Sequence, residues 1–127
     1  MRDRGMWTWH VLAGLVILPL LALHMAVMHL DATLGVASPA GGHPIDWQNV
    51  VARGKTVLFP LSYGLLLVVA LYHGLYGLRN ILLELDPPAW LARTIGIVLL
   101  LLGIGLGGYG LWAAVASRQV ALAAMGG

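Results

Sequence analysis

Five histidines stand in a chain that is otherwise almost uncharged: His10, His24, His29, His43 and His73. There are no cysteines, so thiolate metal sites, iron–sulfur ligands, disulfides and thiol nucleophiles are excluded. His24 and His73 lie well inside apolar stretches, and His10 and His29 lie near the ends of one. An ionisable side chain placed in lipid needs a partner. A neutral imidazole is the least costly of them, and it is a natural axial ligand for haem iron.

His73 has the most suggestive surroundings, Leu71-Tyr72-His73-Gly74-Leu75-Tyr76-Gly77-Leu78-Arg79. Gly74 and Gly77 bare the backbone beside the imidazole, which is room for a flat macrocycle or for a neighbouring helix. Arg79 lies ~9 Å further along a helix axis, within reach of a haem propionate. His24 and His29 are ~140° apart around a helix, so they cannot share one metal or one haem face. His10 and His24 return to within ~40° of one face. His24 is the deeper residue and the second ligand candidate. His10 suits a headgroup, a propionate or a partner chain, and His29 a solvated or quinone-side position. His43, between Gly42 and Pro44, reads as solvated.

These residues need elements to hold them, and the composition names the kind. Of 127 residues, 60% are hydrophobic and 9% are charged, and the mean hydropathy is +0.88. A soluble fold of this size cannot hide so much apolar side chain. An ordinary soluble enzyme, a disordered segment and a nucleic-acid-binding domain are excluded, and the net charge of +2 is no basic patch. Residues 9–30, 56–78 and 94–117 contain no Asp, Glu, Lys or Arg. Each is long enough for the ~20 helical residues that cross a bilayer core. The expected fold is all-α, with three transmembrane helices at about 9–30, 56–83 and 90–117 in one domain. Residues 31–55 read as a loop and Asp86-Pro87-Pro88 as a turn. The first span reads as retained, since its apolar run is long, it carries histidines and no small-x-small cleavage site follows. Arg2, Arg4, Arg79 and Arg93 against Arg53, Lys55 and Arg118 favour a cytoplasmic N-terminus. Gly103 and Gly107 are spaced for close helix–helix approach. The fingerprint-like Gly103-x-Gly105-x-x-Gly108 lacks the strand context a dinucleotide site needs.

If His24 and His73 sit on antiparallel helices, they are offset by roughly 10 Å along the membrane normal. Each would then take its opposite axial ligand from another chain.

At this point the chain resembles the membrane-anchor cytochrome b subunits of succinate dehydrogenase and quinol:fumarate reductase. The resemblance rests on His73-x-x-x-Gly77-Leu78-Arg79 in the second of three helices, followed by Glu84. It rests also on Trp9-His10-x-x-x-Gly14 opening the first helix and His24-x-x-x-x-His29 closing it. It implies one half of a two-chain anchor bundle in the inner (cytoplasmic) membrane. Such an anchor assembles with a second anchor subunit, an iron–sulfur subunit and a flavoprotein subunit. It implies His73 as axial ligand of the haem b nearer the iron–sulfur subunit, His24 as ligand of a second haem, and Arg79 on a propionate. The chain would be a non-catalytic subunit that helps bind haem b and quinone. Leu85 stands where mono-haem members carry a quinone-contacting Tyr, and His10 stands where a Gln-Arg pair is often found. The first departure removes that quinone contact from the expectation, and the second moves the resemblance toward menaquinone-linked, di-haem types. Quinone-side proton donors would be Tyr76, Glu84, Asp86 and Trp90 at one end, and His29, Asp31, Ser62 and Tyr63 at the other.

Three other readings stay open. One is a haem-free anchor of the same enzyme class. Another is a different cytochrome b, such as a ferric reductase or hydrogenase anchor. The third is a cofactor-free structural or assembly subunit of a transporter or respiratory complex, with its histidines bonded to Ser, Tyr or backbone.

Overall fold

The computed structural model describes residues 4–30, 38 and 40–124, and among these it is all-helical. Four helices follow in chain order: α1 Arg4–His29, α2 Trp47–Lys55, α3 Leu58–Leu83 and α4 Ala89–Ala123. Three of them, α1, α3 and α4, are long and apolar enough to cross a membrane. That is the architecture of a multi-pass membrane protein, because a helix satisfies its own backbone in lipid. The first helix starts five residues earlier than the apolar run suggests, at Arg4, and the last continues to Ala123. Helices α1 and α3 are ~39 Å long and α4 ~52 Å, against a hydrocarbon core of ~30 Å.

Helix α3 lies in the middle and packs against both α1 and α4, whereas α1 and α4 make no close backbone approach to each other. The three spans therefore form a row and not a closed bundle. The α3–α4 seam is built by size alternation. Leu67, Leu71 and Leu75 recur every four residues on α3. They lie over Gly110, Gly107 and Gly103 of α4, with Leu71 and Leu75 Cδ1 at 3.6 and 3.0 Å from where a Cβ would stand on Gly107 and Gly103. In the other direction, Leu111 lies over Gly64. Small residues let two backbones approach, which is how apolar helices associate where lipid removes the hydrophobic drive. The expected packing role of Gly103 and Gly107 is met. Gly105 and Gly108 face open space.

Pro60 falls in the first turn of α3, where its missing N–H has no intrahelical partner to lose. At the other end, the Glu84 N–H donates to Asn80 and Ile81, and the Asp86 N–H to Leu83. Asp86 takes a left-handed conformation, φ +51°, and Pro87-Pro88 then starts α4. Asp tolerates this region better than most residues.

Residues 31–55, expected to be loop throughout, contain α2. Its sequence, Trp47-Gln48-Asn49-Val50-Val51-Ala52-Arg53-Gly54-Lys55, is too polar to announce itself by hydropathy, and its support is tertiary. Asn49 is fully buried and makes three hydrogen bonds. Its Nδ2 donates to the Gly41 and His43 carbonyls, each at 2.9 Å, and its Oδ1 accepts the Ala40 N–H at 3.1 Å. Gly41 and Gly42, at φ +77° and +80°, supply the left-handed backbone this turn requires. Gly54 then sets α2 against the C-terminal end of α4, with the Ala121 methyl 3.2 Å from where a Cβ would stand and Ala121 wholly buried.

Elsewhere little is buried. Leu15, Leu18, Leu100, Leu101, Ile104 and Trp112 are all more than 60% exposed within the spans. On a soluble monomer such a surface would be a contact liability. On helices of this length it is what lipid or partner helices cover.

Candidate functional site

Helices α1 and α3 run antiparallel and each carries the same pattern, His10-x-x-x-Gly14 and His73-x-x-x-Gly77. Residues four apart share a helix face. The two patterns meet head to tail, so each histidine lies over the other helix's glycine. A Cβ on Gly14 would stand 2.8 Å from His73 Cε1 and 3.1 Å from its Nδ1, and one on Gly77 would stand 3.2 Å from His10 Cε1. The imidazoles themselves stack face to face, with centroids 4.2 Å apart and planes within 4°.

Hydrogen bonding makes the pair unequal. His73 Nδ1 lies 3.0 Å from the His10 carbonyl oxygen. A carbonyl only accepts, so this bond puts the proton on Nδ1 and leaves the Nε2 lone pair as the ring's donor atom. In a helix the carbonyl of residue i points toward residue i+4, so the bare backbone of Gly14 is what opens the His10 oxygen to the facing ring. His10 Nδ1 is buried with no hydrogen-bond partner. The cluster extends through aromatic contacts. Tyr76, buried, lies 5.3 Å from His10, and Tyr72 stacks on Tyr76 at 5.8 Å. Tyr72 Oη donates to the Met6 carbonyl at 2.9 Å, tying α3 to the first turns of α1.

Toward a haem iron these residues offer one candidate ligand and not two. Axial imidazoles present ring edges to the iron from opposite sides, whereas His10 and His73 present faces to each other, so they do not bind one iron together. His73 alone carries the arrangement typical of a metal-ligating histidine, with one ring nitrogen donating to a backbone carbonyl and the other left as a lone pair. Among the described residues, no three His, Asp or Glu converge on a site for a bare metal ion.

Several expected partners are elsewhere. Six residues separate Arg79 from His73, which places them ~120° apart around α3. Arg79 accordingly turns toward α4, with Nε 3.7 Å from where a Cβ would stand on Gly96, and away from the imidazole pair. It lines a groove of about 1020 Å³ between α3 and α4 with Tyr72, Tyr76, Asn80 and Glu84 at its polar end and leucines along its length. His73, Asp86 and Trp90 do not line it, and Trp90 is 69% exposed. Gly77, expected to leave room for a macrocycle, gives that room to His10.

His24 is far from this cluster. Because the His73 ring lies over Gly14, the offset to His24 is a ten-residue rise, ~15 Å and not the ~10 Å expected from the spans alone. It meets the Tyr63 ring edge-on, with centroids 5.5 Å apart at 83°. His24 Nδ1 and Tyr63 Oη are both buried without hydrogen-bond partners. Two such atoms on touching rings mark a place for a water or a ligand polar group. His29, the last residue of α1, is exposed, as is His43. The Ser62 hydroxyl donates to the Phe59 carbonyl at 2.9 Å. Asp31 and Arg2 lie outside the described residues.

Sequence reasoning did not foresee the stack of His10 on His73, or the tie from Tyr72. The signal for the first was present, because one His-x-x-x-Gly pattern recurs on two antiparallel helices.

Compared with known proteins, the chain matches no family model, no curated protein and no solved structure.

Proposed function

We propose that this chain is a membrane-anchor subunit of a succinate:quinone oxidoreductase, helping to bind haem b and quinone and to pass electrons from an iron–sulfur subunit to (mena)quinone. The observation that carries the reading is the bond from His73 Nδ1 to the His10 carbonyl, which leaves on Nε2 the lone pair that a metal ligand needs. Bound there, haem b would supply reversible one-electron transfer. The protein's part is to fix the tautomer and orientation of His73, with His10 and Gly14 as its support. Iron–sulfur and flavoprotein subunits would dock on one face of the membrane, and a second anchor chain would bring the opposite axial ligand. The open row of helices supports that last point, since it leaves long apolar faces for another chain. The groove holding Tyr76, Glu84 and Arg79 is the proposed quinone site, apolar along its length and able to donate protons at its end. His24, beside Tyr63, is the proposed ligand of a second haem, and the N-terminus is proposed to lie on the cytoplasmic side of the inner membrane.

A reduced-minus-oxidised spectrum of the complex purified in mild detergent tests this, with pyridine-haemochrome quantitation. His73→Ala is expected to remove one b-type haem while the chain still inserts. A fully assembled complex without haem overturns the reading. It would then favour a second one, a haem-free anchor in which the reciprocal His-over-Gly contacts are a packing device.

A further inference from the structure

At the end of the molecule where α2 packs, a second groove of about 740 Å³ runs between α3 and α4. Its walls are apolar, from Pro60, Leu61 and Leu65 on α3 to Leu111, Ala114 and Val115 on α4, and Arg118 and Gln119 stand at its mouth. Among the described residues, no acidic one lines it. The Arg118 Nε–H is buried and makes no hydrogen bond. A buried guanidinium N–H without an acceptor is costly and calls for one. Further positive charge is held close by. A Cβ on Gly54 of α2 would stand 4.0 Å from the Arg118 Cα, which sets the neighbouring Lys55 at the same end of α4. The one described acidic side chain of this region, Asp46, is engaged with the His43 N–H at 2.7 Å.

We infer that this groove is a binding site for one anionic phospholipid of the surrounding bilayer. An acyl chain lies along the leucine-lined slot, and the Arg118 guanidinium turns so that its Nε–H donates to a phosphate oxygen, with Lys55 adding charge. Three features together select this occupant. The groove opens along membrane-spanning helices, where the ambient amphiphile is lipid. Its floor is apolar over a length that suits a hydrocarbon chain. Its one buried, unbonded donor is cationic, which favours a phosphate that carries net negative charge over a zwitterionic headgroup. Guanidinium–phosphate bonds are charge-assisted and among the stronger ones available to a protein. The site is separate from the histidines and stands whether or not the chain binds haem.

The full chain, purified in mild detergent, would be titrated with phosphatidylglycerol, phosphatidylcholine or inorganic phosphate while lipid adducts are counted by native mass spectrometry. Phosphatidylglycerol is expected to bind about tenfold more tightly than phosphatidylcholine, the value of one hydrogen bond to a charged group. Arg118→Gln is expected to bring the two lipids to within about twofold. Val115→Trp, which narrows the slot from an exposed position and keeps Arg118, is expected to weaken both lipids together. Equal binding of the two lipids by the unmodified chain overturns the inference. So does a preference that survives Arg118→Gln. Competition by inorganic phosphate as effective as by phosphatidylglycerol would leave an anion site only, and would overturn the assignment of the groove to an acyl chain.

Discussion

The reciprocal packing of two histidines over two glycines predicts an asymmetry between substitutions that look equivalent in sequence. Gly14→Ala puts a methyl 2.8 Å from His73 Cε1, inside any normal carbon contact. The His73 ring cannot yield without losing its 3.0 Å bond to the His10 carbonyl. Overpacking of this kind costs about 1–3 kcal/mol, and the lost hydrogen bond adds about 1. The gain from replacing a helical glycine by alanine offsets about 1. The net expectation is a loss of about 1–3 kcal/mol, or roughly a 5- to 150-fold fall in the folding equilibrium. Gly77→Ala meets His10 Cε1 at 3.2 Å, and His10 Nδ1 holds no bond that would fix its ring. That ring can shift by a few tenths of an ångström, so the change should be within about 1 kcal/mol of neutral. Reversible unfolding in mixed detergent micelles, titrated with a denaturing detergent, would measure both. In a His73→Ala background the obstacle is gone, and Gly14→Ala should become neutral or mildly stabilising. The cycle should show a coupling of about 1–3 kcal/mol between positions 14 and 73. Equal effects of the two glycine substitutions, or an unchanged effect of Gly14→Ala without the imidazole, would refute the proposed geometry.

The remaining expectations concern other seams. Gly110→Val should destabilise the chain by about 1–3 kcal/mol, because Leu67 fills the space a side chain would need; Gly105→Ala, in open space, should be neutral or stabilising by up to about 1, and the same unfolding assay compares them. Asn49→Ala removes three hydrogen bonds from the turn at 40–43 and should loosen α2 by about 1–3 kcal/mol, read as faster tryptic cleavage at Arg53 and Lys55 with the spans still protected. If haem is present, His24→Ala should leave the His73-linked absorbance and midpoint potential unchanged, since ~15 Å separates the two positions along the membrane normal; loss of both signals together would show that they serve one site. Tyr72→Phe deletes the bond to the Met6 carbonyl and should cost about 0.5–1.5 kcal/mol in the unfolding assay without altering insertion.

The row of helices bears on how such a chain would work in an assembly. With α3 flanked on two sides and α1 and α4 apart, each outer helix keeps an apolar face uncovered by this chain. The His10–His73 pair lies within the α1–α3 seam, which this chain forms by itself. Any cofactor held by His73 would therefore rest on a preformed support, while its far side would depend on what the membrane or a partner supplies.

Composition alone determined that the chain is helical and lies in a membrane, because an uncharged run of more than twenty apolar residues has no other stable solution in water or lipid. The glycine spacing of the last helix determined that it packs closely, since only a bare backbone admits Leu71 and Leu75 at that range. The Asp86-Pro87-Pro88 turn was legible because proline cannot continue a helix from the preceding residue. Which histidines meet was hinted at by the repeated His-x-x-x-Gly pattern but not fixed by it. Pairing depends on the relative depth of two antiparallel helices, and span limits read from hydropathy err by a turn or more, enough to exchange one neighbour for the next. Tertiary structure set His73 over Gly14 and against the His10 ring, left His24 to Tyr63, and turned Arg79 toward α4. Axial reach can be counted along a sequence, but the angle around a helix has meaning only once its neighbours are in place. Helix α2 was invisible for a related reason: its stability comes from Asn49 and from the Gly54–Ala121 contact, which exist only when distant segments have met.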